Sequence, residues 1–180
     1  MGLPGSGKTY YACWRANKEM TKKTKAFPQG RPVYSNFGIE GTKPITPESL
    51  FDIEPGACVI VDEAQNWFGS RNWKNFGDKY MEYFSQTRKK QYTLIWISQN
   101  VSTVDKIIRD RTGVIYDLHA FFGGLFGHPL FFTAQMYYEA KNVGKKDPQF
   151  KGPVTFLPFK KHIAEMYDTH EIIKVRQIPA

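Results

Sequence analysis

Apolar residues fall in short runs separated by Pro- and Gly-rich connections, and the runs read as helices alternating with strands. Tyr10 to Lys25 holds no Pro or Gly and predicts a helix, with Lys22, Lys23 and Lys25 at its carboxyl end, where cations suit the helix dipole. Pro32 to Phe37 predicts a short strand. A loop punctuated by Gly41, Pro44, Pro47, Pro55 and Gly56 surrounds a short helix from Pro47 to Ile53, with Thr46 as its N-cap. Ala57-Cys58-Val59-Ile60-Val61 is continuously apolar, as in a strand buried on both faces, and Tyr92 to Ser98 predicts a second buried strand. Between them a helix opens at Gly77-Asp78 and runs to about Lys90. Val104 to Arg109 predicts one or two helical turns, and Val114 to Ala120 a strand. From Pro129 the pattern turns to β, with a long strand from Leu130 to Ala140, a short one from Val154 to Leu157 and a last helix from Lys160 to Tyr167. The alternation predicts an α/β fold: a mostly parallel sheet flanked by helices, with a β appendage added late.

Composition narrows the class. The 180 residues suit one domain, and 41% apolar with 16% aromatic residues is enough to bury a core. Cys13 and Cys58 are far apart and in no CxxC spacing, which excludes a disulfide scaffold and a zinc finger and suits a reducing compartment. The formal charge of +8 divides as +3, +2 and +3 over successive thirds, so the chain has no basic tail. That spread is compatible with a polyanionic partner and does not require one. His119, Gly123, Gly124, Gly127, His128 and Pro129 interrupt the greasy stretch from Leu118 to Phe132, and no run reaches the ~20 apolar residues of a membrane helix. The expectation is a cytoplasmic domain. Phe121, Phe122, Phe126, Phe131 and Phe132 read as the packing of a β-hairpin or as an edge against a subunit or lipid.

Gly2-Leu3-Pro4-Gly5-Ser6-Gly7-Lys8-Thr9 completes the phosphate-binding P-loop pattern GxxxxGK[ST], which turns the fold expectation into a P-loop NTPase. Successive backbone N–H groups must wrap a phosphate, and the glycines permit the dihedrals and the close approach. With Tyr10, these residues form the expected nucleotide-binding set; Lys8 reaches the β- and γ-phosphates of ATP, and the Thr9 hydroxyl ligates Mg²⁺. The helix that follows aims its positive end at the phosphates. About 50 residues on, Val59-Ile60-Val61-Asp62-Glu63 is an apolar strand ending in two carboxylates. Asp62 is expected to hold Mg²⁺, and Glu63 to take a proton from the attacking water. Gln99 ends the Leu94 to Ser98 strand at the sheet's carboxyl edge, where it can sense the γ-phosphate or the water.

These residues also carry a resemblance. Pro4 within the P-loop, Tyr10-Tyr11 after it, Val33-Tyr34-Ser35-Asn36, and Asp62-Glu63-Ala64-Gln65 followed by Arg71 look like the zonula occludens toxin (Zot) family. Thr87-Arg88 before a strand ending in Ser98-Gln99, and the late Tyr167-Asp168-Thr169, are similar to it as well. The resemblance spans nearly the whole chain. Where the family usually shows Arg-His-Gly ahead of the sensor strand, this chain has Arg88-Lys89-Lys90-Gln91. The family includes inner-membrane assembly ATPases of filamentous phages and lies near the FtsK/HerA DNA-pumping ATPases. It implies an ATP-hydrolysing motor domain acting in phage assembly or extrusion. It also implies phage assembly proteins or DNA as partners, and a membrane anchor outside this chain that ties the full protein to the host inner membrane.

Two further expectations concern the assembly. Developing charge on the γ-phosphate lacks a second cation near the P-loop, so a homo-oligomer, such as a ring, is expected to supply Arg88 or Arg71 from a neighbouring subunit. A P-loop follows a central strand, whereas only Met1 precedes Gly2, so the single domain of residues 1–180 is expected to lack its first strand. Two alternatives remain open at this stage: a DNA-packaging or DNA-translocating motor, and an effector domain that binds nucleotide without turnover.

Overall fold

The computed structural model describes residues 1–3, 5–69, 73–122, 129–139, 143 and 148–168, with backbone only for residues 73–77 and 148. The elements run in the order α1 (Lys8–Thr21), β1 (Val33–Ser35), β2 (Lys43–Pro44), β3 (Cys58–Val61), α2 (Gln65–Phe68), α3 (Trp73–Gln86), β4 (Thr93–Trp96), α4 (Lys106–Arg111), β5 (Ile115–Phe122), β6 (Pro129–Tyr137), β7 (Lys151–Pro158) and α5 (Lys161–Ala164). Among the described residues, β2-β1-β3-β4 form a parallel sheet and β5-β6-β7 an antiparallel one. The parallel sheet with flanking helices and the late β addition are as the sequence pattern predicts. The addition begins earlier, because the Val114–Ala120 run pairs with β6 from Ile115↔Tyr137 to Phe122↔Pro129.

Alternation along β3 explains its unbroken apolar run. Cys58 and Ile60 face a cluster holding Tyr11, Cys13 and Ala16 of α1, Leu118, Phe132 and Ile163. Val59 and Val61 face Leu50, Phe68, Tyr80, Tyr83 and Ile108 on the other side. Neighbouring residues point to opposite faces of a strand, so both faces must be apolar when both are covered. Cys13 and Cys58 are fully buried free thiols, and burial pushes each up to about 12.

The second strand differs from its expectation. β4 is half-buried along its whole length, because it ends the parallel sheet and its outer edge faces a groove rather than another strand. Helix boundaries shift too. α1 ends at Thr21, so Lys18 occupies its last turn and Lys22, Lys23 and Lys25 lie beyond it. The Thr24 hydroxyl accepts from the Phe27 N–H, and this local turn competes with further helix. α3 begins at Trp73, so Gly77 sits inside it at a cost of about 1 kcal/mol relative to Ala. The final helix shrinks to Lys161–Ala164, and beyond it the Met166 carbonyl accepts from the Glu40 N–H. The Pro47–Ile53 segment forms a 3₁₀ turn over Ser49–Asp52, with Thr46 Oγ1 accepting from the Ser49 N–H.

Arg31 fastens the amino edge of the sheet. It donates to the carbonyls of Gly56, Ala57 and Gln91, to Thr93 Oγ1 and to Glu19 of α1. Gly30 precedes it at φ +94°, and a Cβ there would lie 1.7 Å from the Met20 carbonyl oxygen. Only glycine fits that approach.

Candidate active site

The parallel sheet places the ends of β1, β3 and β4 side by side, and the loop before α1 meets them there. Gly7 caps α1 at φ +90°, and Gly2 and Gly5 also adopt positive φ. A Cβ on Gly5 would meet nothing within 4 Å, whereas one on Gly7 would lie 2.3 Å from the Phe132 ring. The back of the loop is thus braced by the appended sheet, and its front is open. Tyr10 turns away from the loop: its ring stacks on Phe132 at 4.4 Å, its hydroxyl donates to the Pro158 carbonyl, and it accepts from the Lys160 N–H. Its side chain therefore anchors the loop, leaving only its backbone N–H for a ligand.

Lys8 Nζ donates to the Gly2 and Leu3 carbonyls, each at 2.9 Å, so it folds over its own loop. Burial lowers the pKa of Lys8, and the carboxylates of Asp62 and Glu63 oppose that shift. Thr9 Oγ1 donates to Asp62 Oδ2 at 3.4 Å. Asp62 is 8% exposed, and burial raises its pKa against the pull of the Glu63 N–H, which donates to Oδ1 at 2.8 Å. A hydroxyl and a carboxylate at this separation make a hard, all-oxygen donor pair of the kind Mg²⁺ takes. The open-fronted loop suits a phosphate, and the buried Ser6 Oγ beneath it has no hydrogen-bond partner. These residues fit Mg²⁺ and a nucleotide phosphate.

Glu63 stands next in the turn at φ +47°, a left-handed conformation that costs a non-glycine residue of order 1 kcal/mol and often marks functional turns. Its carboxylate accepts from the Gln65 amide and, at 3.5 Å, from Gln99 Nε2. Ser98 Oγ donates to Gln65 Oε1, so the end of β4 holds the residue that holds Glu63. The structure therefore brings Lys8, Thr9, Asp62, Glu63 and Gln99 together. Arg88 does not join them: it is exposed on the turn that leads into β4, at the opposite end of the sheet. Pro4 and Arg71 lie outside the described residues, as does Thr169.

Asn36, at the end of β1, has a role that residue type left hidden. Its Nδ2 donates to the Asp62 carbonyl at 2.9 Å, and its Oδ1 accepts from the Asp62 N–H at 2.8 Å. This two-point grip fixes the backbone that aims Asp62. The available signal was a polar residue ending a strand, the same one that singled out Gln99. Asn36→Ala is expected to cost about 1–3 kcal/mol in urea unfolding, since a half-buried N–H loses its acceptor. It is also expected to raise the Mg²⁺ concentration needed for half-maximal nucleotide turnover. An unchanged Mg²⁺ requirement would reduce Asn36 to a purely structural part.

The profile of the family described as zonular occludens toxin (Zot) matches residues 40–171. The chain belongs to the Zot family. Its curated relatives include the Gene 1 protein of Enterobacteria phage I2-2, 28% identical over 130 residues, and the Gene 1 protein of Salmonella phage IKe, 25% identical over 134. Each alignment takes in 61% of this chain and 36% of the relative, so the chain spans little more than a third of their length. The fold matches the crystal structure of the N-terminal domain of zonular occludens toxin from Neisseria meningitidis, with a TM-score of 0.64 at 19% identity. That match covers 93% of this chain and 96% of the other. Membership of the family agrees with the resemblance; the Asp-Glu-Ala-Gln and Ser-Gln segments lie within the matched residues, and the Tyr-Ser-Asn segment lies before them.

Proposed function

We propose that this Zot-family chain is a Mg²⁺-dependent ATPase domain that drives the assembly or extrusion of a filamentous phage. The observation that carries the reading is the convergence of Thr9 and Asp62 beside Lys8, with Glu63 and Gln99 on the adjoining turn and strand end. The Gene 1 proteins of two phages among its relatives support the phage setting.

Loop N–H groups and Lys8 bind the phosphates, and the start of α1 adds its positive dipole. Mg²⁺, held by Thr9 Oγ1 and Asp62, supplies positive charge against the phosphate oxygens when bound. Glu63 accepts a proton from water as the water oxygen bonds to the γ-phosphorus and the bond to the bridging oxygen breaks, giving ADP and phosphate. Gln99 orients that water or reports the γ-phosphate. Arg88, exposed and remote from its own site, is offered to a neighbouring copy's γ-phosphate in a homo-oligomer.

Steady-state phosphate release with ATP tests the reading. Turnover is expected with Mg²⁺ and is expected to vanish with excess chelator. Nucleotide binding without turnover in an assembled preparation would favour an effector that does not hydrolyse. Strong stimulation by DNA that fades with salt would favour a DNA-translocating motor instead.

A further inference from the structure

The turn that follows β4 connects the protein surface to Glu63. The Ala64 N–H donates to the Ile97 carbonyl at 2.8 Å, which sets the ends of β3 and β4 side by side. Ser98, 2% exposed, lies against Gln65, the first residue of α2. Beyond Ser98 the chain runs through exposed Gln99 and Asn100 into a 3₁₀ turn over Val101–Thr103, where Ser102 and Thr103 are exposed. The Asn100 side chain caps that turn, its Oδ1 accepting from the N–H and the hydroxyl of Ser102, each at 2.9 Å. One end of the segment thus faces solvent, and the other touches the residue whose amide donates to the Glu63 carboxylate.

The Ser98 hydroxyl has one proton and three acceptors in reach: Gln65 Oε1 at 3.1 Å, the Asn100 carbonyl at 2.9 Å and Thr103 Oγ1 at 3.0 Å. Lone pairs decide where it goes. The Asn100 carbonyl accepts from the Thr103 hydroxyl at 2.7 Å and the Thr103 N–H at 3.2 Å, which fills both of its lone pairs. Ser98 accepts from the Asn100 N–H at 3.3 Å, and its own proton is left for Gln65 Oε1. That bond fixes which way round the Gln65 amide stands, with its NH₂ rather than its oxygen toward Glu63. The donors then all point one way, from Asn100 through Ser98 and Gln65 to the carboxylate. Moving one proton undoes the order. When the Thr103 hydroxyl turns to Ser98 Oγ, the Asn100 carbonyl opens and draws the Ser98 proton, and the Gln65 amide loses the bond that orients it.

We propose that Ser98 and Gln65 are positioning residues that aim Glu63 for hydrolysis, and that the Thr103 hydroxyl, at the surface, decides whether they hold it. The proposal rests on the ATPase reading above for what Glu63 does, and on the hydrogen bonds alone for how Glu63 is held. A general base must keep a lone pair on the attacking water. Glu63 stands in a left-handed turn (φ +47°) with a side chain that can rotate, so its aim has to come from neighbours. Gln99 reaches one carboxylate oxygen only at 3.5 Å and from an exposed position, so the buried arm through Ser98 is the firmer hold. Gln99 also lies between Ser98 and Asn100 in the chain, so a γ-phosphate that draws Gln99 toward it displaces both residues of the relay.

Two readouts test it. Gln65→Leu and Ser98→Ala are expected to lower kcat about tenfold and Thr103→Val several-fold, with ATP affinity by calorimetric titration within about twofold of the parent. Thr103→Ser, which returns the hydroxyl, is expected to restore kcat. In the Glu63→Gln background none of these substitutions is expected to cost more than about twofold, because no carboxylate is left to aim. A loss that persists in that background, or one that falls equally on ATP affinity, overturns the proposal and makes Ser98 and Gln65 purely structural. Full turnover by Gln65→Leu also overturns it and leaves the ATPase reading intact. The second readout needs no hydrolysis: the side-chain amide resonances of Gln65 in ¹⁵N-labelled protein without nucleotide, assigned by their loss in Gln65→Leu. Thr103→Val and Glu63→Gln are expected to move them, and Thr103→Ser to leave them in place. If Thr103→Val leaves them unmoved, the proposal is overturned whatever the turnover. If they respond in an assembled protein that releases no phosphate, the hold on Glu63 stands and the ATPase reading falls. Should Ser98→Ala fail to fold, Thr103→Val, at an exposed position, carries the test.

Discussion

Glu63→Gln is expected to keep ATP and lose turnover by about 10²-fold or more, the usual scale for removing a general base. The amide has the shape of the carboxylate but cannot take a proton. The structure explains why binding should survive: the hydrogen bonds of the Glu63 carboxylate run to the amides of Gln65 and Gln99, while Lys8 bonds the Gly2 and Leu3 carbonyls and Thr9 bonds Asp62. The variant does pay locally. Both carboxylate oxygens now accept from amide donors, and the new NH₂ must turn one of those donors away, at about 1 kcal/mol. Calorimetric titration with ATP beside single-turnover phosphate release separates the two effects. Equal loss of binding and turnover would move Glu63 from base to metal or structural duty.

Lys8→Ala is expected to lower nucleotide affinity or turnover by about 10²–10³-fold, the scale for deleting a charge aimed at phosphate oxygens in a partly desolvated site. Lys8 also bridges the Gly2 and Leu3 carbonyls, so part of the loss could come from a loosened loop. The two causes have different sizes. Two carbonyls left without the ammonium, one on buried Gly2 and one on exposed Leu3, cost about 1 kcal/mol in stability, which thermal unfolding of the free protein reads directly. A small shift in Tm beside a large loss of ATP binding assigns the effect to charge. Undiminished hydrolysis would remove the loop from the phosphate site.

The parts of the fold set by local rules were legible in the residues. The run from Ala57 to Val61 had to be a doubly buried strand, and the glycines of the loop had to precede a helix. Asp62, Glu63 and Gln99 could be placed because each ends an apolar run, and strand ends collect at one edge of a parallel sheet. What escaped depends on which strand lies beside which. Asn36 grips Asp62 only because β1 pairs with β3, and nothing within residues 33–36 states that neighbour. Gln65 and Ser98 form their relay across the β3–β4 pair for the same reason. β4 looked fully buried because its side chains are apolar, whereas its exposure is decided by an edge that composition does not encode. Helix ends slipped where short polar side chains, such as Thr24, built competing turns.

The two thiols give the domain an internal measure of its own opening. Cys13 sits on the buried face of α1 and Cys58 on the strand beneath it, and both are fully enclosed. Alkylation needs a solvated thiolate, and burial at both positions disfavours that form, so neither cysteine can react until α1 parts from the sheet. Labelling slow enough to let the helix reclose many times therefore follows the population of the parted state, whereas very fast reagents follow the rate of parting. Because α1 begins at the phosphate loop, a ligand that fastens the loop would lengthen the interval before either sulfur reacts, with no reporter group added to the chain.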